Sequence, residues 1–101
     1  MQFGEYLKDL REKRNLLQRE LAAAVNMDVA YLSKIERGNR AARKEQVIAF
    51  AKALELKEDS LLLHWYSQNI VDTLKDEKNS TEILKIAEEK IKNLNNEKNS
   101  F

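Results

Sequence analysis

The 101-residue chain has no cysteine, no proline and only two glycines, Gly4 and Gly38. Without cysteine there are no disulfides and no thiolate metal sites. No stretch approaches the roughly 20 consecutive apolar residues that a membrane span needs, and the opening MQFGEYLKDLREKR lacks the apolar core of a signal peptide. A cytoplasmic location with no membrane partner is therefore expected. The single histidine, His64, has no second histidine to complete a metal set and no Ser or Asp at convincing spacing for a triad. A phosphate-cradling glycine loop is missing as well. These gaps speak against an enzyme: no catalytic residue, metal, cofactor or small-molecule ligand is expected. At this length the chain is expected to hold one small domain with an appended element, because small domains bury only about 60% of their unfolded surface.

What is present is charge and helical periodicity. Charged residues make up 35% of the chain and hydrophobic ones 43%, the composition of a nearly all-helical protein. The net charge of +1 hides an asymmetry: ten Lys/Arg stand against six acids through Lys44, and eight against eleven from Glu45 onward. A front half at +4 suits a polyanion, while a back half at −3 leaves room for another kind of partner. A merely solvated surface is the alternative reading of the same charges.

Apolar spacing predicts five short helices and a tail. Phe3, Tyr6, Leu7 and Leu10 mark a first helix over 2–13, after which Leu16 and Leu17 are expected to re-enter the core. Gln18 to Val25 carries Leu21, Ala22 and Val25 inward, with alanines that allow close helix approach. Asn26 suits the left-handed turn that closes this helix, and Asp28 is a good N-cap for the next, with Leu32 and Ile35 inside and Gly38 as its stop. Lys44 to Leu54 has Val47, Ile48, Ala51 and Leu54 on one stripe. Asp59 or Ser60 opens a fifth helix with Leu61, Leu62 and Trp65. Short connections and no strand pattern fit an orthogonal helical domain over residues 1–66, followed by a helical extension over 67–101.

The run LLQRELAAAVNMDVAYLSKIERG resembles the helix-turn-helix of the lambda repressor/Cro-like family, also called the XRE family. The matching features are Gln18 opening the second helix, Glu20-Leu21-Ala22 within it, a three-residue turn, and Leu32 to Gly38 closing the third. Residues 3 to about 66 are covered. Asn26 replaces the family's usual Gly, and Asn15-Leu16-Leu17 replaces the commoner Gly-Leu-Ser/Thr, which removes a hydroxyl cap. The resemblance implies an all-α, five-helix lambda-repressor-like domain that binds double-stranded DNA, with phosphate contacts fixing register and the third helix touching base edges.

Carried onto this sequence, the DNA-contacting set is Gln18, Arg19, Val29, Ala30, Tyr31, Ser33, Lys34, Arg37, Asn39, Arg40, Arg43 and Lys44. Gln18 sits at the first turn of the second helix, where its amide and the helix N-terminus can bind a phosphate. Val29 and Ala30 are placed to pack on thymine methyls, or are plain surface; Lys34 is placed to donate to guanine, or to meet a phosphate or solvent. By resemblance Tyr31 lies near the backbone at the edge of the site. Arg37, Asn39, Arg40, Arg43 and Lys44 follow the recognition helix, where like charges would otherwise repel one another. In the family's pattern Arg11 pairs with Glu36, which implies a partly buried structural ion pair.

Beyond residue 66, Ile70, Val71 and Leu74 make a short apolar face that Lys75-Asp76-Glu77-Lys78 interrupts. Asn79-Ser80-Thr81-Glu82 is a capping-box signature. From there Ile83, Leu84, Ile86, Ala87, Ile91 and Leu94 form a stripe, with 84, 87, 91 and 94 at seam spacing. Asn95 to Phe101 is expected to fray. Two heptads are not stable alone, so the extension is expected to bury itself against the first domain or against a second chain. A second chain is favoured, because the domain already has a complete core, through Trp65, Ile70, Leu74, Ile83, Leu84, Ala87, Ile91 and Leu94. A homodimer on a palindromic operator answers the problem that one helix reads too few base pairs. Among the family's small members, the chain looks most like restriction-modification controllers or stand-alone regulators. An antitoxin, whose tail would wrap another protein, is the alternative.

Overall fold

The computed structural model describes residues 1–98, which form six α-helices and no strand. They are α1 (Phe3–Lys13), α2 (Gln18–Ala24), α3 (Val29–Glu36), α4 (Lys44–Ala53), α5 (Glu58–Leu74) and α6 (Ser80–Lys98). The chain divides into two compact units, Met1–Asn69 and the residues from Ile70 onward. That division lies inside α5, three residues beyond the boundary expected after Tyr66. Between Glu58 and Leu74 there is no glycine or proline to stop a helix, and the helix runs through the polar Ser67-Gln68-Asn69 before it ends ahead of the Lys75 to Lys78 run.

The core of the first unit follows the helical period. Leu7, Leu21, Ala22, Leu32, Ile35, Val47, Phe50, Ala51, Leu54 and Leu61 are buried almost completely. On α4 the spacing 47, 50, 51, 54 lays one continuous stripe inward, with Phe50 at its centre and Ile48 only half-buried. Burial of a side chain the size of Phe50 is worth about 1.5–3 kcal/mol. Leu16 packs at the margin of this core, whereas Leu17 is 51% exposed. As N-cap of α2, Leu17 has extended backbone that turns its side chain outward, contrary to the expectation that both leucines re-enter the core.

Glycine matters at one helix crossing. Gly4 is buried in the first turn of α1, against the last turn of α3. A Cβ there would meet the carbonyl oxygens of Ile35 and Glu36, the second at 2.7 Å. Only a residue without a side chain permits so close a backbone approach.

Four helices end in one pattern of backbone hydrogen bonds. After α1, Asn15 donates to Glu12 and Leu16 to Arg11; after α2, Asn26 donates to Ala23 and Met27 to Ala22. After α3, Gly38 donates to Ile35 and Asn39 to Lys34; after α4, Glu55 donates to Lys52 and Leu56 to Ala51. This paired closure is the Schellman motif, which needs a left-handed residue just past the helix. Asn15, Asn26, Gly38 and Glu55 supply it, with φ of 56°, 55°, 79° and 56°. Asn26 therefore fills the place of the expected glycine in the helix-turn-helix. Leu16, Met27 and Leu56 each follow such a residue and fold back onto the core.

In the second unit, every described residue of α6 after Ser80 is exposed. Ile83, Leu84, Ile91 and Leu94 are exposed by 39%, 46%, 58% and 55%, so this 19-residue helix presents an uncovered apolar stripe. Glu88 and Lys92 pair one turn apart at 3.0 Å. Asn95 to Lys98 continue the helix rather than fraying, since nothing in that run terminates it. Asn99 to Phe101, the rest of the expected frayed end, lie outside the described residues.

Candidate nucleic-acid interface

The recognition element is built on a buried polar centre. Arg11 Nε and Nη2 donate to Glu36 Oε2 and Oε1 at 2.8 and 2.9 Å, a two-pronged pair linking α1 to the end of α3. Arg11 Nη1 donates to the Leu16 carbonyl at 2.7 Å. The two side chains are 8% and 1% exposed. Their mutual hydrogen bonding holds the Arg11 guanidinium above its ordinary range, against the opposing pull of burial. Gln18 completes the centre: its Nε2 donates to Glu36 Oε1 at 2.9 Å. One of the two N–H groups of its amide is thus engaged inside the fold, which ties the first residue of α2 to the last of α3.

The starts of α2 and α3 are closed differently. Asp28 accepts the Ala30 N–H at 3.2 Å and caps α3. At the start of α2, where the hydroxyl cap is missing, Glu20 reaches back to accept the Leu17 N–H at 2.9 Å, the half of a capping box that needs no hydroxyl.

With Leu32, Ile35 and Glu36 inward, α3 turns Val29, Ala30 and Lys34 to solvent, and Ser33 is half-exposed. Val29 is 41% exposed, a β-branched apolar side chain on the first turn of a helix that could be covered only from outside the unit. Arg19 is exposed on α2. Beyond α3, the side chains of Arg37, Asn39, Arg40, Arg43 and Lys44 are all exposed.

Two of these cations rest on aromatic rings. Arg40 Cζ lies 4.4 Å from the centre of the Tyr31 ring, and Lys44 Nζ lies 5.7 Å from that of Tyr66. Hydrogen bonds from Gln46 and then Arg40 hold the Tyr31 phenol below its ordinary pKa. The Tyr66 hydroxyl holds the Lys44 ammonium above its ordinary range. Gln46 also accepts the Arg43 N–H at 2.8 Å, closing the first turn of α4. It is a residue that the sequence reading did not single out, although its place three residues after the helix cap is a recognisable capping position.

Arg43 and Lys44 stand at the N-terminus of α4, where the helix dipole favours acids over cations. Glu45 lies 3.7 Å from Arg43 Nε, and the charge of Glu58 acts on Lys44. The helix dipole itself does not favour cations there.

Trp65 departs from its expected role. Its indole Nε1 donates to the Ala42 carbonyl at 2.8 Å and its ring packs on the core of the first unit, so it braces the turn before α4 rather than offering itself to a second chain. His64 stacks on Tyr6 at 3.9 Å between ring centres. Among the described residues no three potential metal ligands cluster, and no helix is long and apolar enough to cross a membrane.

Comparison with known proteins matches residues 2–65 to the family model described as a helix-turn-helix domain. Among solved structures, the chain is similar to the restriction-modification controller protein C.AhdI from Aeromonas hydrophila. The identity is 32%, the TM-score 0.56, and the match covers 58% of this chain and 89% of that one. It is also similar to the clp gene regulator ClgR from C. glutamicum, at 28% identity and TM-score 0.57, over 64% of this chain and 84% of that one. Another ClgR structure, from Corynebacterium glutamicum, covers 84% of this chain and 88% of its own at TM-score 0.58; at 22% identity it shows a shared fold alone. No curated protein matches significantly.

Proposed function

The chain belongs to the helix-turn-helix domain family, and from that premise we propose that it is a sequence-specific DNA-binding transcriptional regulator, acting as a homodimer on a palindromic operator. The observation that carries this reading is the outward face of α3, with Val29, Ala30 and Lys34 free of the core and the exposed cations from Arg37 to Lys44 directly after it. Apolar side chains at the front of the helix suit thymine methyls, and Lys34 suits guanine O6 or N7. The basic turn suits the flanking phosphates. With one amide N–H engaged by Glu36, Gln18 keeps its second amide N–H and the N-terminus of α2 for a phosphate.

Dimerisation is supported by apolar surface that is exposed among the described residues. Ile70 on α5 is 48% exposed, and α6 exposes Ile83, Leu84, Ile91 and Leu94. Ala87 is exposed and Leu74 half-buried. A helix of this kind gains most of its stability from covering such a stripe. Similarity to a restriction-modification controller protein favours control of such an operon, including autoregulation, over the antitoxin reading.

The test is selection of bound duplexes from a random pool, followed by protection mapping. An inverted repeat with half-sites about one helical turn apart is expected; a pool with no enriched sequence sinks the proposal. Arg43→Gln should weaken binding to every duplex alike, whereas Lys34→Ala should change which sequence is enriched.

A further inference from the structure

Arg40 stands on the non-helical stretch between α3 and α4, exposed, yet it is not loose. Its guanidinium lies over the Tyr31 ring at 4.4 Å. Tyr31 is itself held, half-buried on α3 against the core. A cation of the basic stretch thus rests on a ring that the recognition helix fixes.

We propose that Tyr31 is a positioning residue for DNA binding, a seat that holds Arg40 at a set reach for a backbone phosphate. The proposal rests on the DNA-binding reading and adds a residue whose effect is exerted through another side chain. A long exposed side chain loses rotamer freedom when it is fixed on a ligand. Ordering it beforehand lowers that loss, so affinity rises without any added contact to DNA. The seat is an aromatic ring, with no charge of its own to repel phosphate. It therefore presents Arg40 without competing for it as a carboxylate would.

The decisive experiment is a double-mutant cycle between Tyr31→Leu and Arg40→Gln. Binding to a mixed-sequence duplex is followed by fluorescence anisotropy at fixed salt, after circular dichroism shows each variant folded at the working temperature. With Arg40 present, Tyr31→Leu should weaken binding about two- to fivefold, the worth of an exposed cation–aromatic contact. In the Arg40→Gln background it should have no further effect. Tyr31→Phe keeps the ring and should lose less than Tyr31→Leu. If Tyr31→Leu fails to fold, the same cycle is run with Tyr31→Phe, where loss of the hydroxyl should matter only when Arg40 is present. Equal losses in both backgrounds, or no loss in either, overturn the seat while leaving the DNA-binding reading intact. A wild-type chain that binds no duplex overturns both.

Discussion

Replacing Glu36 by alanine tests the buried polar centre directly. The substitution removes both carboxylate oxygens, and with them two of the three hydrogen bonds that Arg11 makes and the Gln18 amide bond. It leaves an arginine side chain that is 8% exposed with the Leu16 carbonyl as its remaining acceptor. Stranding one partner of a buried ion pair costs about 3–5 kcal/mol. A unit of this size has a total stability of about 3–10 kcal/mol at the usual density per residue. The variant should therefore be unfolded or only marginally folded at room temperature, with a midpoint lowered by about 12–40 °C if a transition is still visible. Urea unfolding followed by far-ultraviolet circular dichroism measures the loss. Glu36→Gln, which keeps the shape but not the charge, should lose about half as much, because hydrogen bonds to charged groups are worth about 1.5–3 kcal/mol. Arg11→Met combined with Glu36→Leu should recover most of the stability, since well-packed apolar replacements of buried pairs are often neutral or better. The reasoning is refuted if Glu36→Ala costs less than about 1 kcal/mol, the worth of an ordinary exposed pair, or if the double variant loses as much as the single ones added together. Because the Arg11 pKa is raised, its contribution is complete at all pH values below the ordinary arginine range and is lost only above the raised value, so the loss should not vary across neutral pH.

Gly4→Ala should destabilise by about 1–3 kcal/mol, because the steric cost of a Cβ against α3 backbone outweighs the gain in helix propensity; an unchanged urea midpoint would show that α1 can move aside. Glu55→Gly should stabilise by about 0.5–1 kcal/mol, since relief of the left-handed strain exceeds the added freedom of the unfolded chain. Its ion pair with Arg14, a 3.7 Å contact on the surface, is little to lose, and a lower melting temperature counts against this balance. The Tyr31 phenol should ionise below the ordinary tyrosine value, as read from phenolate absorbance and assigned by its loss in Tyr31→Phe. With a depressed folded pKa, its contribution to stability is present above the ordinary value and is lost as pH falls through the depressed one. A midpoint at or above the ordinary value contradicts the contacts with Gln46 and Arg40.

Local chemistry made much of the recognition element readable in advance. Asp28 and Gly38 bracket α3 because a carboxylate cap and a left-handed glycine are strong signals that need no distant partner. The inward face of α3 follows from Leu32 and Ile35 alone. Trp65 was harder to place, because α5 carries apolar residues on several sides, Leu61, Leu62, Leu63, Tyr66, Ile70 and Val71 among them, so its period singles out no one face. What anchors the indole is a carbonyl 23 residues away, in a turn with no periodicity of its own. Gln18 was hidden for a similar reason: its partner Glu36 lies across the fold, and sequence spacing alone does not tell an amide aimed at solvent from one aimed at a buried carboxylate. Leu17 shows the converse, an apolar residue that the backbone geometry of a cap turns outward.

The four matched helix ends bear on the denatured chain as much as on the folded one. Three of the left-handed positions are filled by Asn15, Asn26 and Glu55, where glycine would relax the folded geometry. Each accepts strain of about 1–2 kcal/mol if the residue is an ordinary one, and less for asparagine. In return the unfolded ensemble loses conformations that a glycine would have kept, worth about 0.4–1 kcal/mol at each site. Stability gained in this way corresponds to no contact in the native molecule. A sum over hydrogen bonds and buried surface will therefore misjudge this domain at its turns, and measurements on the denatured state are where that error can be read.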